Sequence, residues 1–440
     1  MPCRESACAI FRGVSGRGIR AAVNRASCYL VSLQTGGRVP GASMGHAVIG
    51  LHATLSALPL LIAVATLSNA AVATPYAPTD DNLVLQRVLP NADPRIRAIR
   101  DKAALLAQHP GDADLALDLA SHQLSIGVAE ADPRFVGYAQ GTLAPWWREP
   151  EPPVPLRVLR ARILQAQHDF PAAKRDLQAV LAIEPNHVDA HLVLAGISET
   201  TGDLATARTA CDDLARIRPT LAATACAASV DSVSGQAEQA YNTLETAATR
   251  APSRDPTLQC WALTILAEIA ERRDDPAADG HFKDALAASP ADVYTLTAYA
   301  DYLLAHKRPV EVAALLAGKN RIDALLLRLA LAARDSGDTQ MGPYTEELAA
   351  RYAAARARGE QLHLRDESRF ELELRHQPQR ALELARQNWE VQRTPIDART
   401  YLAAALAAKD AAAIRLVAEW VAGTGLEDRS LRDTLAKAAP

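Results

Sequence analysis

The stretch His168–Asn186, HDFPAAKRDLQAVLAIEPN, sets an alanine early in an amphipathic run, an apolar residue four positions on and a proline after the run ends. The same skeleton returns in LATARTACDDLARIRPT. Ala207 then falls under Ala173, Cys211 under Leu177 and Pro219 under Pro185, each a step of 34 residues. Ala195 likewise falls under Ala161, and Gly202-Asp203-Leu204 under His168-Asp169-Phe170. A third copy carries Gly235, Ala240, Leu244, Ala247 and Pro252. A fourth, after an insertion, carries Ala278, Phe282, Ala285 and Pro290.

These positions describe a pair of helices. A small residue on the first helix (Ala161, Ala195, Ala228) lets the second approach closely, and Gly202 or Gly235 supplies the turn between them. Ala173, Ala207, Ala240 and Ala278 play the same part on the second helix. The following proline ends that helix, since its ring has no N–H with which to extend the hydrogen-bond ladder. A pair of this length cannot bury its apolar faces alone, so successive pairs must stack.

Composition agrees. The chain of 440 residues is 49% hydrophobic but only 5% aromatic, with alanine and leucine, the strongest helix formers, supplying most of the apolar share. No run of alternating β-branched residues suggests strands.

With these small, glycine, alanine, leucine or aromatic and proline positions in phase, the chain resembles the tetratricopeptide repeat family over 154–290. The likeness is looser afterwards: Lys307 stands where the turn glycine is expected and Val312 where the second-helix alanine is expected, while Gly337 and Ala381 keep the pattern. The resemblance implies an all-α, right-handed solenoid of stacked antiparallel helix pairs with helical caps. The expected divisions are a lead (1–43), a signal segment (44–73), an N-terminal helical cap (74–150), the repeat solenoid (151–345) and degenerate repeats with a cap (346–440).

The front end reads as an address. Ala53 to Leu67 is an apolar run of signal-peptide length, and the small residues after it predict cleavage behind Ala73 or, almost equally, Ala70. The alternative is an uncleaved inner-membrane anchor, since 53–73 nearly reaches the ~20 residues that a spanning helix needs. Residues 1–43 read as an over-extended reading frame, with Met44 as the start, or as a disordered lead. The expected location is periplasmic or secreted, in a bacterial envelope.

Residues 1–73 hold six Arg, no Lys and one acid, Glu5, so the rest of the chain is acidic although the whole has a net charge of only −4. An acidic body lacks the clustered positive face that nucleic acid requires, and no nucleic-acid partner is expected. Of the cysteines beyond the signal, Cys211 and Cys226 can pair across adjacent helices in an oxidising compartment, leaving Cys260 odd. Alternatively, all three are small apolar core residues.

Catalytic signatures are missing: no nucleophile elbow, no phosphate loop, no His-Glu-x-x-His and no Cys-x-x-Cys. His187 and His191 share a helix face but are too few to hold zinc, and no metal or cofactor is expected. His363, Asp366 and Glu367 read as a solvated helix face. Trp146-Trp147 reads as packing between the cap and the first repeat, with a ligand platform as the alternative.

In the resembled family, first helices line a concave groove that holds extended peptides or helices. Matching motif to motif, the groove candidates are Arg162, Gln165, Asp189, Glu199, Ser229, Ser232, Glu271, Tyr294, Asp301 and Arg334. Acids lead bases among them, which suits a neutral or basic protein or peptide segment. No Lys- and Asn-rich carboxylate clamp is present. The expectation is a non-enzymatic scaffold. The alternatives are an enzyme or small-ligand binder on a helical solenoid, or an anchored spacer in which 53–73 alone touches membrane.

Overall fold

The computed structural model describes residues 93–250, 252–360 and 363–438. The signal segment and the lead lie outside the described residues. Every regular element described is a helix. An opening helix α1 (Pro94–Gln108) precedes a first pair, α2 (Ala113–Ala129) and α3 (Pro133–Thr142), and a single turn, α4 (Ala144–Trp147). Five pairs follow: α5 (Val154–Ala166) with α6 (Phe170–Ile183), α7 (Val188–Thr200) with α8 (Leu204–Ile217), α9 (Leu221–Ser232) with α10 (Ala237–Arg250), α11 (Pro256–Arg272) with α12 (Ala277–Ala288), and α13 (Val293–Ala305) with α14 (Pro309–Leu315). Then come α15 (Asp323–Ser336) with α16 (Met341–Ala357), α17 (Leu364–Glu373) with α18 (Pro378–Val391), α19 (Pro395–Ala407) with α20 (Ala411–Thr424), and a last helix α21 (Arg429–Ala438).

The members of each pair pack on each other, and each first helix also touches the first helix of the next pair, from α2 through α5 and onward to α19. The protein is therefore an all-α solenoid whose inner layer is the row of first helices. The alanines picked out by the 34-residue shift sit at the helix crossings: Ala161, Ala173, Ala207 and Ala278 are wholly buried. Phe170, Leu177, Leu244 and Phe282 fill the space between them. The described residues from 93 on belong to one compact unit, and the expected division at 345/346 falls inside α16.

Each turn within a pair is the same device. Nine turns carry one residue in the left-handed region: Ala131, His168, Gly202, Gly235, Asp274, Lys307, Gly337, His376 and Lys409. In eight of them the next N–H donates to the carbonyl five residues back, as Asp169 does to Leu164 (2.9 Å) and Asp275 to Ala270 (2.9 Å). This six-to-one bond closes the first helix. The residue after the left-handed one is often an aspartate that caps the second helix: Asp169 accepts from the N–H of Ala172, and Asp203 from that of Thr206.

Two expectations about particular residues are decided by packing. Trp146 and Trp147 are half-buried against the cluster shared by α2, α3 and α5. The Arg160 guanidinium donates to the carbonyls of Trp146, Trp147 and Glu149 and pairs with Asp176 at 2.6 Å, so it ties the proline-rich connection to the first repeat. Of the cysteine alternatives, the structure has the bond between Cys211 on α8 and Cys226 on α9, with Cys260 buried and free.

The solenoid curls until late pairs rest on early ones. The Arg393 N–H donates to Thr200 O at 2.8 Å, and Gln392 Nε2 lies 3.3 Å from His168 Nδ1. The Ala237 N–H donates to Glu427 Oε1 at 3.2 Å, and Arg321 pairs with Glu130. At Gly235 a Cβ would meet the carbonyl oxygen of Gly425 in ordinary contact at 3.4 Å, so it is the φ of +82° that calls for glycine at this turn. Gly235→Ala is expected to lower unfolding free energy by about 1–2 kcal/mol, the cost of a Cβ in the left-handed region. Lys307→Gly, at an exposed turn of the same shape, should raise it by several tenths of a kcal/mol, since glycine's greater unfolded-state freedom offsets part of the gain. Urea unfolding of the two variants checks the opposite signs.

Candidate functional site

Along the inner row, each contact between successive first helices from α7 to α19 carries a polar bond. Ser229 Oγ on α9 donates to Glu199 Oε1 on α7 at 2.9 Å. Arg272 on α11 donates to Ser232 Oγ on α9 at 2.7 Å, and the hydroxyls of Thr264 on α11 and Thr295 on α13 lie 2.7 Å apart. Arg328 on α15 holds Asp301 on α13 at 2.8 Å and Asp366 on α17 at 2.9 Å. Arg365 on α17 reaches Asp397 on α19 at 3.1 Å. Buried polar groups require such partners, and here each partner comes from the neighbouring repeat.

The candidate residues divide accordingly. Gln165, Glu199, Ser229 and Ser232 were expected on an open groove, but the structure buries all four within the helical layer. The latter three are held in inter-repeat bonds, so they join repeats to each other and offer nothing to a ligand in this conformation. Arg162 on α5 and Asp189 in the first turn of α7 are half-buried. Asp366 and Glu367 are also corrected: they are 2% and 5% exposed, because α17 packs between α15 and α19 and turns them inward, while His363 stays half-buried. Glu367 pairs there with Arg356. His187 caps α7 by accepting from Ala190 N–H, and the His191 ring bonds to Pro185 O at 2.8 Å.

Glu271, Tyr294 and Asp301 are brought together. They line one cavity of about 310 Å³ with Glu268 from α11 and with Arg365, Arg369 and Arg399 from α17 and α19. Arg334 stands beside it, bonded to Glu373 of the lining at 3.2 Å. The cavity is thus made by two stretches of the inner row that face each other, α11–α13 and α17–α19. Two ion pairs span it: Asp301 to Arg369 at 2.7 Å, and Glu271 to Arg399 at 2.5 Å. Arg399 also holds Asp428, and the Tyr294 hydroxyl donates to Glu268. A larger space of about 440 Å³ lies among the α2–α3 and α5–α6 turns and the α16–α17 and α18–α19 connections; His363 lines it, and none of the groove candidates does.

Burial alone would raise the Asp301 carboxyl, but the guanidiniums of Arg328 and Arg369 hold it far below the usual carboxylate range. Asp366 is shifted the same way, its burial outweighed by Arg328, Arg365 and Arg369.

Sequence matching missed the basic wall, because Arg365, Arg369 and Arg399 belong to repeats whose motif has decayed. A charge comparison carries the signal: where α11 and α13 present Glu268, Glu271 and Asp301, α17 and α19 present arginines.

Residues 164–228 match the tetratricopeptide repeat family model. No curated protein matches the sequence. Among solved structures, a tetratricopeptide repeat protein from Parabacteroides merdae is 14% identical, with 57% of this chain and 98% of that chain covered and a TM-score of 0.35. The human IFIT1 dimer with m7Gppp-AAAA is 12% identical, with 79% and 87% covered and a TM-score of 0.38. Yeast Tom70 is 11% identical, with 78% and 85% covered and a TM-score of 0.35. Likeness at this level says nothing about what this chain binds.

A depressed carboxylate stabilises the fold fully above its unfolded pKa, near 3.9, and that stability is lost as pH falls towards the folded value. Stability should therefore fall progressively below about pH 4 as Asp301 and Asp366 are forced to protonate. Asp301→Asn should cost about 3 kcal/mol at pH 7, because it leaves Arg328 and Arg369 short of a charge, and should flatten the acid slope. Denaturant unfolding of both proteins from pH 7 to pH 2 checks both effects.

Proposed function

We propose that this chain is a non-enzymatic scaffold that holds a protein or peptide segment against its inner face, outside the cytosol and in a bacterial cell envelope. The observation that carries the reading is the charge-lined cavity at the centre of the inner row, where Glu271, Tyr294 and Asp301 meet the arginines of the late repeats. A regular helical stack offers few strained loops on which catalytic groups usually sit, and the charged groups here are engaged in ion pairs across the cavity. The match of 164–228 to the tetratricopeptide repeat model supports the scaffold reading, and so does the lack of catalytic motifs in the sequence.

Two features support export. Residues 53–73 have the apolar run and small-residue exit of a cleavable signal. The Cys211–Cys226 bond suits an oxidising compartment, since such bonds are rare where thiols are kept reduced. The bacterial assignment rests on the signal type and the Ala- and Arg-rich usage of the sequence.

A tagged chain recovered from its host's envelope after mild cross-linking tests both parts. Its mature N-terminus should be Thr74 or Ala71, and a stoichiometric protein should accompany it and be lost on Glu271→Gln with Asp301→Asn in a variant that remains folded. An abundant soluble chain without any protein partner would contradict the scaffold and bring small-ligand binding or catalysis forward. Retention of 53–73 would replace export with anchoring.

A further inference from the structure

The central cavity has two walls of opposite charge. Glu268, Glu271 and Asp301 outnumber Arg272 on the α11–α13 wall, and Arg365, Arg369 and Arg399 outnumber Glu373 on the α17–α19 wall. Between them the lining is mixed, with apolar Ala298 on one side and Ile396 and Ala403 on the other, and with hydroxyls of Thr297 and Thr400 among them. Across the cavity the walls meet in the Asp301–Arg369 and Glu271–Arg399 pairs, while on the basic side Arg369 also pairs with Glu373 at 3.1 Å and Arg399 with Asp428 at 2.8 Å. These groups are neither sealed nor free: the side chains of Asp301 and Arg369 are 18% and 15% exposed, those of Glu271 and Arg399 18% and 24%. A pure packing contact would gain more from apolar residues of similar volume, because ion pairs removed from water seldom recover their desolvation cost.

Charge and size together select an occupant. A ligand of one sign is attracted by one wall and repelled by the other. A ligand with an ammonium at one end, a carboxylate at the other and an apolar middle matches both walls and the floor. A volume of about 310 Å³ is at the small end of ligand pockets, which run from roughly 300 to 1,000 Å³. It excludes a helix, whose diameter with side chains is about 10 Å.

We propose that this cavity binds a short free peptide as a zwitterion, its α-ammonium towards Glu271 and Asp301 and its carboxylate towards Arg369 and Arg399. The site rests on the inner-face reading above and narrows the occupant from a segment of a larger protein to a peptide with both ends free.

The test is calorimetric titration of the mature full-length chain with Ala-X-Ala tripeptides, where X is Leu, Glu, Lys or Tyr, each compared with its N-acetylated and C-amidated forms. At least one free-ended tripeptide should bind saturably, and blocking either end should weaken it by about tenfold or more. Ala298→Phe and Ala403→Phe add bulk to the cavity from opposite walls without replacing a charged residue. Either variant, shown folded by its circular dichroism, should abolish binding. Failure of all four free-ended tripeptides to bind, equal binding of the blocked forms, or undiminished binding by a folded cavity-filling variant would each overturn the site. A protein partner captured from the envelope would survive that failure, whereas tripeptide binding without a captured partner would remove only the scaffold.

Discussion

Arg328 has no exposed side-chain surface, yet it carries a full positive charge between three consecutive first helices. Such a group is tolerable only with carboxylates on both sides, and α13 and α17 supply them as Asp301 and Asp366. The consequence is geometric. An Ala- and Leu-rich stack could slide over a range of crossing angles at small cost, but a buried guanidinium shared by two carboxylates accepts one arrangement. The same logic runs down the row, from Glu199–Ser229 through Ser232–Arg272 to Arg365–Asp397. Apolar burial drives the stacking, and these bonds set its angle.

That angle sets the curvature, and the curvature brings α19 back to α11. Arg399 then meets Glu271, Arg393 meets the end of α7, and Gly425 meets Gly235. The inner cavity is a product of this closure, since neither wall alone encloses anything. Its chemistry depends on two stretches of the inner row, α11–α13 and α17–α19, that are remote in sequence.

The fold was legible because the 34-residue shift reads positions where geometry admits few residues. Ala207 under Ala173 works because both sit at fully buried crossings. The pattern faded where a non-glycine residue occupies the left-handed turn. His168, Asp274, Lys307, His376 and Lys409 all adopt the conformation that Gly202 and Gly235 announce in the sequence. Closure was not legible at all, as no local rule links Arg393 to Thr200. This also explains why only some of the groove candidates line the cavity. Glu271, Tyr294 and Asp301 were found from repeat phase, whereas Glu199 and Ser229 share that phase but face a neighbouring helix. The inward turn of Asp366 and Glu367 was hidden in the same way, because a charged helix reads as solvated until its partners on adjacent helices are known.

Closure is tested most directly at Gly202, where an added Cβ would lie 3.3 Å from the Cβ of Arg393, near the separation in a disulfide, about 3.5–4.5 Å. The double variant Gly202→Cys with Arg393→Cys, purified under oxidising conditions and mapped by peptide mass spectrometry without reduction, should contain a bond between these two positions. Two free, freely alkylated thiols in a folded protein would mean that the late repeats do not rest on the early ones, and the cavity with its facing walls would not exist.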